Sequence, residues 1–525
     1  MKKPMLVLTA IAALTGSAVA ADLPVAAPYT KAPAMPAPPA NWTGFYIFGG
    51  AGGGIWDADN NTVTNPGALA VTRDQRGGGD GWFGTVGAGY DWQFNRTWVA
   101  GIFADGQFGS LRGSITDANF RLEGSEKLLD TWAVGVRLGY LVAPNVYSYV
   151  NAGYTGSQWS GSSLTALIPF APGTLATPSF HRDGFFVGGG FENSLNIFGI
   201  TAPGWFMKTE YRAAYFGRVT LPETNAATGV PDGFSDTFKP FVQTVSTSLV
   251  YRFNSDGPMA VTSDSALAAR TWTKAPVMPV ANWTGFYIFG GAGGGVWDAE
   301  SNVVVSSTGF GLPVGTAITR DQRLGGSGWL GTVGAGYDWQ FNSRWVAGIL
   351  ADGQFGEING SLSDPFSSFL GVVTEGREKL RTSYAAGVRL GYLVAPNVLS
   401  YVNAGYSGSE WSGTSQTFLT TANLAFFPGT QTTTPSFHRD GFFIGGGVEN
   451  NLDIFGISMP GLFMKTEYRS AFYDRISLPE TFTPGNSGGF TGLTGQAITF
   501  KPWVQTITTS LVYRFNWNGP VVTKY

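Results

Sequence analysis

The chain has 525 residues, a formal net charge of −3 and no cysteine. Only 13% of it is charged, against about 25% in soluble proteins, while 14% is aromatic and 75 residues are glycine. This excludes disulfides, thiolate metal sites and thiol nucleophiles, gives no reason to expect nucleic acid as a partner, and leaves two histidines for any imidazole chemistry.

Lys2 and Lys3, an apolar stretch from Met5 to Leu14 and the small residues Ala18-Val19-Ala20 have the form of a secretory signal, so residues 1–20 are expected to be cleaved. Residues 21–40, rich in proline and alanine, read as an extended periplasmic tether. Beyond them no apolar run reaches the roughly 18 residues that a membrane helix needs.

The string from Asn41 to Gly54, NWTGFYIFGGAGGG, recurs without change from Asn282 to Gly295. Asp74-Gln75-Arg76 returns at Asp321, Arg137-Leu138-Gly139-Tyr140 at Arg389, Lys208-Thr209-Glu210-Tyr211-Arg212 at Lys465, and Tyr251-Arg252-Phe253 at Tyr513. The spacing between copies widens in four steps: between Trp56 and Asp74, Arg112 and Glu126, Gly161 and Pro178, and Phe216 and Phe238. Insertions are tolerated in exposed loops and not inside paired strands.

Between these variable segments lie hairpins at Trp82–Gln107, Leu128–Trp159 and Arg182–Phe216, turning near Asn95–Thr97, Ala143–Asn145 and Ile200–Gly204. Single strands at Trp42–Trp56 and Lys239–Phe253 bring each copy to eight strands, with four long loops at one end and three short turns at the other. That is the layout of a transmembrane β-barrel. Period-2 alternation agrees: Trp132, Val134, Val136, Leu138 and Tyr140 share one face, and Thr131, Ala133, Gly135, Arg137 and Gly139 the other. Trp82, Tyr90, Trp92 and Trp98 read as interface-girdle residues, and the glycines after Trp42 as small side chains for a crowded inner face.

The segment 254–281 contains Thr273-Lys274-Ala275-Pro276, nearly a copy of Thr30-Lys31-Ala32-Pro33, so the repeated unit carries its own tether. The expected fold is all-β: two tandem eight-stranded antiparallel up-and-down transmembrane barrels at 41–253 and 282–515, joined by a periplasmic linker at 254–281 and followed by a tail at 516–525. One sixteen-stranded barrel is the alternative.

The tether, the Trp-Thr-Gly-Phe-Tyr opening, the Lys-Thr-Glu-Tyr-Arg strand and the Tyr-Arg-Phe ending resemble the RopB-type outer-membrane β-barrel family of alphaproteobacteria, whose single barrels are similar to the OmpA membrane domain. The resemblance covers 41–253 and 282–515 and implies export to the bacterial outer membrane. It also implies dealings with outer-membrane lipids and lipopolysaccharide, and with the barrel-assembly machinery and periplasmic chaperones. The tandem duplication departs from the family, as do Phe103 and Leu350 where a lumen-facing acid is common.

Alternation places Asp91, Asp105, Arg137, Glu192, Lys208, Glu210, Arg212 and Arg252 inside the first copy, and Asp338, Asp352, Arg389, Glu449, Lys465, Glu467, Arg469 and Arg514 inside the second. With four charges of each sign per copy, they read as a paired network filling the lumen, or as a gate on a narrow ion path. His181 and His438 sit in Ser-Phe-His-Arg-Asp, where hydrolase chemistry is conceivable, but a structural role at the loop base fits better because adjacent strand residues face opposite ways. The Gly49–Gly54 run lacks the helix and lysine of a phosphate loop, and no cofactor signature is present. The expected role is non-enzymatic: envelope integrity and presentation of surface loops. A porin-like pore and a ligand-binding barrel are the alternatives, and the oligomeric state is open.

Overall fold

Alternation and backbone pairing together build the structure. The computed structural model describes residues 41–143, 145–168, 174–195, 202–253, 282–307, 311–366, 372–452, 459–486 and 490–515. The expected signal peptide, tether, linker and tail lie outside these residues, as do Pro144 and residues 200–201 of two expected turns.

The first copy holds β1 (Gly44–Thr64), β2 (Gln75–Gln93), β3 (Trp98–Asp117), β4 (Leu122–Ala143), β5 (Val146–Trp159), β6 (Ser162–Ala166), β7 (Thr174–Thr177), β8 (Phe180–Ser194), β9 (Trp205–Phe216), β10 (Val219–Asn225) and β11 (Pro231–Arg252). The second begins with β12 (Gly285–Ser301), β13 (Val303–Val305), β14 (Gln322–Gln340), β15 (Trp345–Asp364), β16 (Thr374–Ala395), β17 (Val398–Trp411) and β18 (Ser415–Phe418). It ends with the short helix α1 (Thr421–Phe426), then β19 (Thr432–Thr433), β20 (Phe437–Asn451), β21 (Leu462–Tyr473), β22 (Ile476–Phe482) and β23 (Gly492–Arg514). No helix among the described residues is long and apolar enough to cross a membrane.

The sheet is antiparallel, up-and-down and barrel-like. In the first copy the pairing runs β1, β2, β3, β4, β5, β8, β9, β11 and returns to β1, where Tyr46 stands opposite Arg252. In the second it runs β12, β14, β15, β16, β17, β20, β21, β23 and returns to β12, with Tyr287 opposite Arg514. Asn95 Oδ1 accepts from the Thr97 and Trp98 amides at 2.8 and 2.7 Å, which tightens the first short turn as expected.

The strands outrun their expected bounds. The sequence ends the first strand at Trp56, but β1 pairs on to Thr64, opposite Phe234 of β11, and β11 starts eight residues before Lys239. The variable segments continue to pair because their backbone groups find partners there, with β6, β7 and β10 extending the sheet from β4 round to β11.

Side chains alternate across the wall. On β4, Trp132, Val134, Val136 and Leu138 face outward and Arg137 is buried within. Exposed aromatics form two belts, one with Phe45, Tyr90 and Trp92 near the short turns, the other with Trp82, Phe108, Trp132, Tyr154 and Phe185. Trp98 is half-buried against Tyr140 at 5.3 Å. The first strand starts at Gly44 rather than at the expected Trp42, which precedes β1, is 1% exposed and packs inside against Phe206 and Tyr147.

The two copies meet along a reciprocal seam. Arg73 pairs with Glu375 at 3.3 Å and Arg320 with Glu123 at 3.2 Å. The Arg76 amide donates to Ser361 Oγ and the Arg323 amide to Ser114 Oγ, both at 2.9 Å, while Gly77 and Leu324 bridge the two sheets. Each contact is made twice with the partners exchanged, the pattern of a two-fold interface. Val146, Val398 and Val448 close the seam at the short-turn end.

The glycine run owes its composition to close approach. Gly50 and Gly52 face inward, and a Cβ on either would drive into the facing carbonyls of Thr247 and Val245; on Gly52 it would also meet the Phe83 ring at 2.6 Å. Gly52→Val should therefore lower unfolding stability by about 1–3 kcal/mol, measured by urea titration of tryptophan fluorescence in phospholipid, and unchanged stability would refute this crowding.

Candidate functional site

The inward faces bring the sixteen charged residues together in two tiers per copy. Asp91 comes from β2, Arg137 from β4, Glu192 from β8 and Arg252 from β11, all buried. Arg137 Nε and Nη2 donate to the two oxygens of Asp91 at 2.8 and 2.5 Å, and Nη1 donates to Glu192 at 3.3 Å. Arg252 donates to Glu192 at 2.6 Å and to Asp91 at 2.7 Å. Two cations thus alternate with two anions in a closed square.

The second tier holds Asp105, Lys208, Glu210 and Arg212. Arg212 grips Asp105 with two parallel bonds of 2.9 and 2.6 Å and donates to Glu210 at 2.9 Å. Lys208 Nζ lies 3.5 Å from Glu210, which also accepts from the Tyr149 hydroxyl at 2.8 Å. Glycine makes room for these chains: Gly101 stands opposite Arg137, and a Cβ there would collide with Asp91.

The second copy repeats the arrangement. Arg389 binds Asp338 through Nε at 2.8 Å and Glu449 at 3.2 Å, and Arg514 binds Glu449 at 2.6 Å and Asp338 at 2.8 Å. Arg469 holds Asp352 at 2.8 and 2.6 Å and Glu467 at 2.8 Å, with Lys465 3.4 Å from Glu467.

Aromatic rings line the same space and were not anticipated as part of it. The Arg137 guanidinium lies 4.2 Å over Tyr46, Lys208 3.4 Å over Phe48 and Arg252 4.4 Å over Trp42. Phe103 meets Phe186 edge to face, with ring centroids 6.0 Å apart. Their signal lay in the alternation, since Tyr46 and Phe48 share a face with Gly50 and Gly52, but the glycine run obscured the parity.

The histidines carry no triad. His181 Nε2 meets Asp183 at 2.8 Å, and His438 meets Glu410 through Nδ1 at 3.0 Å and Asp440 through Nε2 at 2.9 Å. In His438 both ring nitrogens face carboxylates, so neither is free to take a proton from a serine. Three further buried acids, Asp117, Glu223 and Asp236, meet above the charged tiers and were not singled out from sequence.

Removing one partner of a buried pair strands the other. Arg137→Ala should cost about 3–5 kcal/mol by urea unfolding in phospholipid, because Asp91 and Glu192 each lose a cation, whereas an effect below about 1 kcal/mol would mean water reaches the square freely.

Comparison with known proteins agrees with this architecture. Residues 11–253 match the model of an outer membrane protein beta-barrel domain. A 31 kDa outer-membrane immunogenic protein of Brucella melitensis biotype 1 is 30% identical over 236 residues, spanning 42% of this chain and 90% of that protein. The protein of the same name from Brucella suis biovar 1 matches to the same extent. Among solved structures, a Pseudomonas aeruginosa FadL homologue aligns with 90% of this chain and 91% of its own at 12% identity, with a TM-score of 0.26 that is too low to bear on function. A protein whose strands close on themselves, whose aromatic belts face outward and whose charges face inward, and which shares this ancestry, belongs to the outer-membrane β-barrel family and resides in the bacterial outer membrane.

Proposed function

We propose that the chain is a non-enzymatic envelope protein made of two closed, eight-stranded transmembrane barrels, residues 41–253 and 282–515, which anchor paired sets of surface loops. The pairing of β1 with β11, and of β12 with β23, carries this reading, because a sixteen-stranded ring would instead join the end of one copy to the start of the next. Eight strands leave an interior just wide enough for side chains. The two charged tiers and the rings of Tyr46, Phe48 and Phe103 occupy that interior, which favours a plug over a solute path.

The outward aromatic belts suit anchoring among outer-membrane lipids and lipopolysaccharide. Assembly through the barrel-assembly machinery, with periplasmic chaperones beforehand, follows from that location. The Brucella relatives are described as immunogenic, in keeping with loops that reach the cell surface.

Recordings of the purified full-length protein in planar lipid bilayers test the closed-barrel reading. The expected outcome is a membrane that stays at its lipid baseline. Stable, large conductance steps would instead favour the sixteen-stranded pore.

A further inference from the structure

Above the upper aromatic belt the interior holds acids with no cation beside them. Asp117 ends β3, Glu223 lies on β10 and Asp236 on β11, and one carboxylate oxygen from each lies within 4.8 Å of the others. All three side chains are completely buried. The fold explains the convergence. Asp236 pairs with Thr62 and Leu221 across its two strand neighbours, and Glu223 is the residue left over where the β10 register shifts between Pro222 and Thr224.

Thr62 Oγ1 bonds Asp117 at 2.9 Å and Asp236 at 3.3 Å, and the Asn119 amide donates to Asp117 Oδ1 at 2.8 Å. That leaves Asp117 Oδ2, Asp236 Oδ2 and both oxygens of Glu223 buried without a hydrogen-bond partner. In the tiers below, every carboxylate meets an arginine or a lysine. Burial, and then the neighbouring carboxylates, hold Glu223 and Asp236 well above the usual acid range, so the trio needs either bound protons or a bound cation.

The second copy supplies an internal comparison. Asp364 and Glu480 stand where Asp117 and Glu223 do, but Ile498, opposite Leu478 and fully buried, replaces Asp236, which faces Leu221. The third acid has been exchanged for a hydrocarbon at an otherwise repeated position.

We propose that Asp117, Glu223 and Asp236 form a divalent-cation site for calcium, present in the first copy and absent from the second. The donors are oxygen alone, which suits a hard cation and excludes a zinc-type site, and water completes the shell. Magnesium releases its waters reluctantly and fits a buried three-carboxylate cage less well. The bound ion would clamp β3, β10 and β11 together at the base of the surface loops.

Equilibrium dialysis of radioactive calcium against the full-length protein, folded in detergent free of lipopolysaccharide, provides the test. One calcium per chain is expected, with a dissociation constant on the order of 10⁻⁴–10⁻³ M, as for extracellular calcium modules. Asp236→Ile, which copies Ile498, and the volume-conserving Asp236→Asn should each weaken binding by about tenfold or more, while Glu480→Gln leaves it unchanged. Circular dichroism establishes that each variant retains its sheet. A folded wild type that binds no calcium, or folded Asp236 variants that bind as the wild type does, would overturn the site in favour of carboxyls that share protons.

Discussion

A strand in a hydrocarbon layer has no water to satisfy its amides and carbonyls, so an open edge cannot persist there. The rest of this molecule follows from meeting that demand. β11 returns to β1 over nineteen consecutive pairs, from Tyr46 opposite Arg252 to Thr64 opposite Phe234. Closing so small a ring curves the wall tightly, so that Gly50 and Gly52 lie against the backbone of the adjacent strand β11 and cannot carry side chains, and long guanidinium groups reach across to carboxylates on other strands. The glycine-rich composition and the inward charges are two results of one geometric requirement.

Two kinds of polar interior sit one above the other. In the lower part, square and fork-like ion pairs neutralise each charge and aromatic faces cover the cations. In the upper part, Asp117, Glu223 and Asp236 lack any such partner among the described residues. The same strands therefore switch from self-sufficient electrostatics to a demand for something from outside, and the switch occurs where β11 passes beyond the outward-facing aromatic belt.

Much of this was legible in the sequence because two periods coincided there. The repeat marks the loops by their changing lengths, and the two-residue alternation assigns faces, so the eight charges of the two tiers, from Asp91 to Arg252, are legible as inward-facing, whereas Asp117, Glu223 and Asp236 are not. Partners were not legible, since Arg137 meets Asp91 and Glu192 from positions far away in the chain. The lengths of β1 and β11 were missed because their upper parts differ between copies and look like loops, although backbone pairing is indifferent to that variation. Glu223 was hidden for another reason: it alternates inward with Leu221 on β10, a strand inside a segment that reads as a variable loop. The seam was not legible either, since Arg76 meets Ser361, and Arg323 meets Ser114, across two copies whose repeat says nothing of how they pack.

The reciprocal seam has an evolutionary consequence. When two identical chains associate about a two-fold axis, any substitution appears on both sides at once, so each change must suit both copies. Joining the copies in one polypeptide removes that coupling. The linker also holds them at a high effective concentration, so the contact survives even if one side weakens. Asp236 in one half and Ile498 in the other are what such freedom permits: one copy specialised, its sister left as scaffold, within a frame that still carries the imprint of equality.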